Sequence, residues 1–251
     1  MKLYKYTSAK YALEFLSTHE LKVTTLEETN DPDEWVPYRV GPDGCDYLAN
    51  RSNRDQFRRN VGAQFGFVSL SSRMDNNIMW GHYADKFKGV LLEFEVQPHA
   101  RLRQVAYHET RYVMGNTISL EDRNVVVDYI ARKGTEWSYE AEWRFFVEIA
   151  ACTAIHLEQG KLVYLFPPEP HLFLSGIVLG PDCRLTFGNV KTALESWRDR
   201  DITISRLAHD SQTYALRVAK EHHIADLNNG VVNHVFNATY QHQVTTFTGN
   251  E

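Results

Sequence analysis

The sequence predicts an α+β fold with mixed, largely antiparallel sheets and peripheral helices. Short alternating or apolar segments typical of strands recur along the chain, and segments with helical spacing separate only some of them. Because the order lacks a regular β-α-β rhythm, a doubly wound parallel sheet is not favoured. The 251 residues are 43% hydrophobic and 24% charged, which is enough apolar material for one substantial core. We therefore expect a single α+β domain over residues 1–228 and a polar tail over residues 229–251.

The N-terminal half begins with a strand at Lys2–Thr7, where apolar and polar residues alternate. Ser8 follows this strand and can cap a helix whose apolar side contains Phe15 and Leu16. The remaining elements predicted up to residue 96 are strands at Leu21–Leu26, Phe65–Leu70 and Gly89–Val96, a polar helical segment ending at Asn60, and a short helix or loop at Asn76–Tyr83. Two core strands therefore flank the aromatic segment MWGHYAD.

The C-terminal half mixes strands and helices in the same irregular way. Strands are predicted at Val105–Tyr107, Arg111–Val113, Glu142–Ile149, Phe173–Leu179 and Ile202–Leu207, and helices at Glu121–Lys133, Asn189–Trp197 and Ala215–Glu221. From Asn229 onward the chain is rich in Asn, Thr, Gln and His without a sustained period. This composition predicts disorder, or order that depends on a partner.

Charge and cysteine usage argue against several classes of protein. A net charge of -5 and an isoelectric point near 6.1 argue against a protein that coats nucleic acid, because such binding needs many basic side chains. Cys45, Cys152 and Cys183 are widely spaced and form no C-x-x-C or Cys/His pattern, so we expect neither a disulfide framework nor a zinc site. No apolar run approaches the roughly 20 residues that cross a bilayer, and the N-terminus lacks a signal-peptide core. We therefore expect a cytoplasmic protein without membrane contact.

The segment WSYEAEWRFF carries the most informative pair of acidic residues. If the segment is extended, Glu140 and Glu142 share one face, because side chains two positions apart point the same way. Two carboxylates this close raise the pKa of one of them, and such a pair can bind a ribose diol, orient a nucleophile or stabilise a developing cation. The alternative is a solvated edge strand on which Arg144 forms a functionless surface ion pair. Both interpretations stay open at this point.

MWGHYADKFKG is the second informative segment. Trp80, His82, Tyr83 and Asp85 fall within six positions between two predicted core strands, a placement that can present aromatic faces to a heteroaromatic ligand. The alternative is that Trp80 and Tyr83, three positions apart on one helical face, fill the core. For this pair alone, the packing role is the favoured interpretation.

Other polar segments give weaker signals. TNDPDEW places Asn30, Asp31 and Asp33 around a proline, which is typical of a turn. FVSLSSR supplies serines at the end of a strand, but without the G-x-S-x-G sequence of a serine hydrolase. A metal-dependent phosphodiesterase or nuclease is a further alternative, since carboxylates suit magnesium. Its ligands would be Asp31, Asp33, His82, Asp85 and Glu142.

Four separated motifs together resemble the bacterial domain of unknown function 2971 family. They are LYKYTS, NDPDEW, MWGHYADKFKG and WSYEAEWRFF, and they occur in the family's order within residues 1–182. A strand with serines precedes the third motif and an apolar strand follows it, as in the family. The family name implies little about function.

The N-terminal segment is also similar to that of the ADP-ribosyltransferase superfamily. LYKYTS, a helix and the strand LKVTT are similar to the elements that build one side of the NAD pocket there. The resemblance implies a split-sheet fold and NAD as a substrate, with Lys5 standing where many members have His or Arg. The residues that it implies on NAD are Lys5, Tyr6, Thr7, Ser69, Ser71, Trp80 and Tyr83.

EAE is similar to the Glu-x-Glu signature of the same superfamily. The resemblance implies that Glu142 is catalytic, holding the nicotinamide ribose and stabilising an oxocarbenium-like transition state. It also implies that Glu140 is auxiliary and helps to orient the acceptor. The residues that follow, Trp143 and Arg144, depart from the commonest surroundings of the catalytic glutamate.

The resemblance implies an NAD-dependent ADP-ribosyltransferase, or a glycohydrolase that uses water as the acceptor. Relatives with this chemistry include toxins and antiphage defence effectors that modify nucleic acid or protein, so a cognate antitoxin or defence partner is expected. The residues assigned to the substrate are Asn30, Asp31, Arg54, Arg58 and Arg144, and the basic stretch Arg51–Arg59 suits an anionic target. An alternative from a different class is a non-enzymatic module that recognises a nucleotide or a partner without changing it.

Overall fold

The computed structural model describes residues 1–223 except 32, 35, 36, 39, 41–43, 114–122, 158–160 and 198. The chain divides into two compact units, each assembled from stretches that are separate in the sequence. Unit 1 contains Met1–His19, Arg73–Gln97 and the residues from Glu169 onward, and unit 2 contains Glu20–Ser72 and Pro98–Pro168. The single domain expected over residues 1–228 stays a prediction, and the tail over residues 229–251 lies outside the described residues.

Strands and short helices follow one another along the described chain. Strands β1–β13 lie at Lys2–Thr7, Leu21–Val23, Phe65–Ser71, Val90–Val96, Leu102–Gln104, Ala106–His108, Arg132–Gly134, Glu142–Glu148, Thr153–His156, Leu162–Phe166, Leu172–Leu179, Thr203–His209 and Leu216–His223. Helices α1–α5 lie at Ala9–Thr18, Arg51–Gly62, Asn77–Tyr83, Arg123–Ile130 and Phe187–Ala193. The predicted α+β class with largely antiparallel sheets is confirmed, whereas the split sheet stays a prediction. No helix within the described ranges is long and apolar enough to cross a membrane.

Unit 1 is built on five neighbouring strands in the order β13-β12-β11-β4-β1. Strands β11 and β12 pair in parallel, and the other neighbouring strands pair antiparallel. Helix α1 begins after Ser8, whose hydroxyl accepts the backbone N–H of Tyr11, and it buries Phe15. The helix ends at His19, which has a φ of 60° and stacks its ring 4.2 Å from that of Trp197. Side chains of unit 1 therefore fix both ends of the helix.

Unit 2 contains the neighbouring strands β3-β8-β5, the sheet β2-β10-β9 and the parallel pair β6-β7. Its core is formed largely by helices α2 and α4 with strands β3 and β8. The buried side chains there are Leu26, Val61, Phe65, Phe67, Val126, Ile130, Ala131 and Phe146. The antiparallel register of β3 and β8 places Ser69 opposite Arg144 and Ser71 opposite Glu142. Segments that are far apart in the sequence therefore meet at one end of this strand pair.

The helix predicted at Ala215–Glu221 is wrong. All of these residues except Ala215 belong to β13, whose pairing with β12 satisfies the backbone groups and outweighs a weak helical spacing. The strand predicted at Arg111–Val113 is also wrong. The β pairing described for this segment is an isolated bridge between Val113 and Tyr38, which does not extend into a strand. The helix predicted at Glu121–Lys133 is shorter, because it ends at Ile130 and the chain then enters β7.

The segment MWGHYADKFKG forms helix α3 and a left-handed turn in unit 1. Trp80 is fully buried, its indole N–H donates to a backbone carbonyl at 2.8 Å, and its ring packs edge-on against Tyr6. After the helix, Asp85, Lys86 and Phe87 have φ angles of 48°, 53° and 68°. Non-glycine residues rarely adopt such angles, which cost roughly 1–2 kcal/mol each. The turn therefore stores backbone strain at three consecutive positions.

We expect Lys86→Gly to raise the free energy of unfolding by about 0.5–1 kcal/mol. Glycine removes the left-handed strain, while the greater freedom of the unfolded chain cancels part of the gain. Lys88→Gly is the matched control, because Lys88 is also exposed but has an ordinary φ, and we expect it to destabilise the fold. Urea denaturation measures both variants. Equal destabilisation by the two substitutions would contradict the presence of strain at Lys86.

Candidate functional site

Unit 2 contains a group of buried charged side chains that forms the candidate functional site. It consists of Glu34, Lys133, Glu140, Glu142 and Arg144, which are between 1% and 8% exposed. Charged side chains are rarely buried unless they are paired, because removing an ion from water is costly. These five residues are called the charged cluster below.

Arg144 joins two carboxylates of the charged cluster. Its Nε and Nη2 atoms donate to the two oxygens of Glu142 at 3.0 and 2.8 Å, and Nη2 also donates to Glu34. Its Nη1 atom donates to the backbone carbonyl of Ile130 at 2.5 Å, and its guanidinium lies 4.4 Å from the ring centroid of Phe67. The two-point contact fixes the Glu142 carboxylate in one orientation.

Lys133 approaches all three carboxylates. Its ammonium group donates to Glu140 Oε2 at 2.7 Å and lies 3.8 Å from Glu34 Oε2 and 3.9 Å from Glu142 Oε2. The same group lies 4.4 Å from the centroid of the Trp137 ring. Three carboxylates therefore share two cations, which leaves an excess of negative charge among the described members of the cluster.

Local backbone structure brings the two glutamates of EAE to one place. Glu140 ends a 3₁₀-helix, Ala141 takes a left-handed conformation with a φ of 44°, and Glu142 begins β8. The Ser71 hydroxyl donates to the backbone carbonyl of Glu140 at 2.6 Å. The segment is not extended as the one-face interpretation requires, yet both carboxylates reach the ammonium group of Lys133.

The interpretation of this segment as a solvated edge strand is wrong. Strand β8 pairs with β3 on one side and with β5 on the other, and the ion pair of Glu142 with Arg144 is buried. Surface ion pairs contribute little to stability, whereas loss of one partner from a buried pair leaves an uncompensated charge. Removal of either partner would therefore leave an uncompensated charge inside unit 2.

The charged cluster sets the protonation states of its members. Burial alone would raise the pKa of Glu142, but Arg144, Lys133 and a hydrogen bond from Ser69 together hold it below its usual value. Burial would lower the pKa of Lys133, but the three neighbouring carboxylates outweigh burial and raise it. Glu142 is therefore ionised and Lys133 protonated at neutral pH.

Two hydroxyl groups complete the surroundings of Glu142. Ser69 Oγ donates to Glu142 Oε1 at 2.6 Å, and the Tyr107 hydroxyl accepts the backbone N–H of Glu142 at 2.8 Å. Burial raises the pKa of Tyr107, so this hydroxyl stays protonated. Of the two serines assigned to NAD, Ser69 thus meets the carboxylate of Glu142 and Ser71 meets the backbone of Glu140.

A cavity of about 370 Å³ lies beside the charged cluster in unit 2. Glu34 and Lys133 belong both to the cluster and to the cavity wall, whereas Glu142 does not line the cavity. The wall also contains further carboxylates and cations and the rings of Tyr112, Tyr129 and Trp137. The volume is within the range of small-molecule sites, so the cavity is the candidate binding space next to the cluster.

Five residues implied to contact NAD lie in unit 1. Lys5 and Thr7 are half-buried on β1, and Tyr83 is half-buried at the end of α3. The Tyr6 hydroxyl donates to a backbone carbonyl at 2.8 Å, and burial raises its pKa. Trp80 has no exposed ring face in this structure, which favours the packing role over stacking on a ligand. Contact of the other four with NAD stays a prediction.

The residues assigned to the substrate differ in how they are engaged. Arg58 donates to a backbone carbonyl at 2.5 Å and to the Thr29 hydroxyl at 2.7 Å, so it holds a loop of unit 2. Arg54 lies 3.6 Å from the carboxylate of a nearby aspartate, and Asn30 is exposed. Asp31 lines the cavity. Of these four residues, Asp31 is thus the one placed at the candidate binding space.

The metal-dependent alternative gains no support from the residues that the structure describes. No group of three or more His, Cys, Asp or Glu side chains among them is arranged to hold a metal ion. Of the residues considered as ligands, Asp31, Asp33 and Glu142 lie in unit 2, and His82 and Asp85 lie in unit 1. Both carboxylate oxygens of Glu142 accept hydrogen bonds from Arg144 instead.

Glu34 and Lys133 are members of the site that local sequence patterns do not identify. Glu34 belongs to NDPDEW, a sequence that is typical of a turn. The one feature that could have marked Glu34 as a site residue is that NDPDEW is among the four motifs shared with the family. Lys133 carried no signal, because it stood at the end of a predicted helix. Glu34 meets Arg144 across 110 positions of the chain, which no local pattern reveals.

The comparisons with known proteins give one match. Residues 79–145 match the model of the family described as protein of unknown function (DUF2971). The matched range contains MWGHYADKFKG and all but the last residue of WSYEAEWRFF, so the family resemblance is confirmed over this part of the chain. Comparisons with curated proteins and with solved structures gave no match. The resemblance to ADP-ribosyltransferases stays a prediction.

Proposed function

We propose that the chain is an NAD-dependent ADP-ribosyltransferase-like enzyme in which Glu142 is the reacting carboxylate. One observation carries this proposal. Ser69 and Glu142, which the resemblance assigned separately to the NAD site, are joined by a hydrogen bond of 2.6 Å, and Glu140 is held close by through Lys133. The proposal includes a glycohydrolase that uses water as the acceptor.

The charge of the cluster suits this reaction. When the glycosidic bond between nicotinamide and ribose breaks, nicotinamide leaves with the electron pair and positive charge develops on the ribose. Glu142 is ionised at neutral pH, and three carboxylates share two cations, so the cluster supplies a negative potential. The acceptor then forms a bond to the ribose carbon and releases a proton to solvent. No oxidant or reductant is consumed.

Ser69→Ala is expected to lower the rate of nicotinamide release by about tenfold or more. The substitution removes a hydrogen bond that orients the Glu142 carboxylate, and loss of orientation at a reacting group is costly. Ser72→Ala is the matched control, because Ser72 is exposed and its hydroxyl donates to the Ala141 carbonyl at 3.3 Å rather than to a carboxylate. Equal rates for the two variants would contradict a role for the serine–glutamate pair.

The acceptor class is the second part of the proposal. In line with the resemblance, the proposed acceptor is nucleic acid or protein, as for a toxin or antiphage defence effector with a cognate partner. NAD labelled in its adenylate moiety is incubated with the protein and a mixture of cell protein, RNA and DNA. Label in one fraction identifies the acceptor. Label recovered as free ADP-ribose alone would identify a glycohydrolase instead.

A non-enzymatic recognition module is the second candidate, and a different observation favours it. Both oxygens of the Glu142 carboxylate accept hydrogen bonds from Arg144, and Glu142 does not line the cavity. A carboxylate held in this way stabilises the fold, and the cavity then binds its ligand without changing it. Stabilisation of the protein by NAD without release of nicotinamide would favour this candidate.

A further inference from the structure

The main chain of Glu142 is held by one short segment of unit 2. The ladder between β5 and β8 ends where Gln104 pairs with Trp143. Beyond this point the Val105 N–H donates to the Glu142 carbonyl at 2.9 Å, and the Glu142 N–H donates to the Tyr107 hydroxyl at 2.8 Å. A side-chain hydroxyl therefore takes the place of the next backbone acceptor in the ladder.

The start of β8 depends on such an acceptor. Glu142 is the first residue of the strand and follows Ala141, whose φ of 44° is one that residues other than glycine rarely adopt. Glu142 is 4% exposed, and a buried backbone N–H is costly to leave without a partner. The hydroxyl of Tyr107 satisfies this N–H across 35 positions of the chain. The hydrogen bond therefore fixes the backbone from which the proposed reacting side chain extends.

The parallel pair β6-β7 supports Glu142 at two points. Tyr107 on β6 lies opposite Lys133 on β7, and the ammonium group of Lys133 lies 3.9 Å from Glu142 Oε2. Burial raises the pKa of Tyr107, so the main chain of Glu142 meets a neutral hydroxyl rather than a second negative charge. The adjacent residues His108 and Arg132 line the cavity. One two-stranded sheet therefore contributes both to the support of Glu142 and to the cavity wall.

We propose that Tyr107 is a positioning residue for the reaction of Glu142. Its hydroxyl fixes the N–H at the start of β8 and so keeps the carboxylate aimed at the reacting carbon, while Arg144 and Ser69 hold the carboxylate itself. Tyr107 touches neither the substrate nor the reacting atoms and adds no chemical step. The inference rests on the proposed function, because a positioning role requires that Glu142 reacts.

Tyr107→Phe tests this role, because it removes the hydroxyl and keeps the ring. The kcat of nicotinamide release should fall about tenfold or more, since misorientation of a reacting group acts on the transition state. The KM for NAD should change by less than about twofold, because no contact with bound NAD is removed. Tyr164→Phe is the matched control, since Tyr164 is half-buried on β10 and outside the charged cluster, and it should change neither constant. Rates are measured at a temperature where circular dichroism shows both variants to be folded.

Hydrogen exchange of the Glu142 amide, followed by NMR, gives a readout that does not depend on activity. The N–H exchanges slowly while it donates to Tyr107, and its exchange rate should rise about tenfold or more in Tyr107→Phe. The amide of Phe145, a buried residue in the middle of β8, should exchange as in the wild type. This contrast separates a local loss at the start of the strand from a general loss of stability.

The outcomes separate this inference from the proposed function. Folded wild-type protein that releases no nicotinamide would contradict the proposed function, and the inference would fall with it. An active wild type, together with a folded Tyr107→Phe variant whose kcat matches that of Tyr164→Phe, would overturn the inference alone. A lower kcat with unchanged exchange at Glu142 would also overturn it, because Tyr107 would then act by another route.

Discussion

Replacing Arg144 with methionine is expected to lower the free energy of unfolding by about 3–5 kcal/mol. Arg144 is buried and donates to both oxygens of Glu142 and to Glu34. Its loss leaves two buried carboxylates without their principal cation, and such uncompensated charges are costly in a protein interior. Methionine is also long and flexible, so the effect reports mainly the missing charge rather than an empty space.

Two control variants test this origin of the effect. Arg51→Met removes an arginine of α2 whose side chain is 88% exposed, and it should change the free energy of unfolding by less than about 0.5 kcal/mol. Arg144→Lys keeps the positive charge but loses the two-point contact, and it should be intermediate. Urea denaturation measures all three variants. An Arg144→Met protein as stable as the wild type would contradict the structural importance of the buried ion pair.

The pH dependence of stability gives this ion pair a second signature. The pKa of Glu142 in the fold is lowered from its ordinary value of 4.5. Its contribution to stability is therefore present above pH 4.5 and is lost as the pH falls through the folded pKa. In Arg144→Met the guanidinium no longer lowers the pKa of Glu142, so burial leaves this pKa higher than in the wild type. Glu142 therefore takes up a proton at a higher pH, and protonation removes the uncompensated buried charge. The stability difference between wild type and variant should therefore shrink on acidification.

Glu142→Gln is expected to slow NAD cleavage by a factor of about 100 or more. Glutamine removes the negative charge that stabilises the developing cation, and loss of one such electrostatic contact costs roughly 3 kcal/mol in a transition state. The same substitution weakens the buried pair with Arg144, so we also expect the variant to be less stable. The rate of nicotinamide release is therefore measured at a temperature where circular dichroism shows the variant to be folded.

Glu148→Gln is the matched control for this substitution. Glu148 is half-buried at the other end of β8 and lies outside the charged cluster, so its variant should retain activity. Glu142→Asp keeps the charge on a shorter side chain and should retain more activity than Glu142→Gln. A folded Glu142→Gln protein that cleaves NAD at the wild-type rate would show that another group carries the reaction.

The elements of the fold that local patterns specify were predicted from the sequence. Strands β1, β3, β4 and β8 are apolar runs or alternate over several residues, and helix α1 has Ser8 as its cap. The pairing of Glu140 with Glu142 in the sequence identified two acids of the charged cluster. The closeness of the two carboxylates was predicted, but their burial was not. Burial depends on the strands and helices that pack around β8, which the local sequence does not show.

The features that depend on tertiary contacts were not predictable from local patterns. Glu34 and Lys133 join the charged cluster through the packing of separate segments of unit 2. Strand β13 forms because β12 offers it a pairing edge, and its own sequence did not specify this. The left-handed turn at Asp85–Phe87 contains no glycine, which is the usual signal for positive φ angles.

The central claim, that this chain cleaves NAD with Glu142 as the reacting carboxylate, is tested most directly by nicotinamide release from NAD. Folded wild-type protein is incubated with NAD and with a mixture of cell protein, RNA and DNA. We predict release that is proportional to the amount of protein and that falls in Ser69→Ala but not in Ser72→Ala. No release from folded wild-type protein, with every acceptor class present, would contradict NAD chemistry and favour the recognition module.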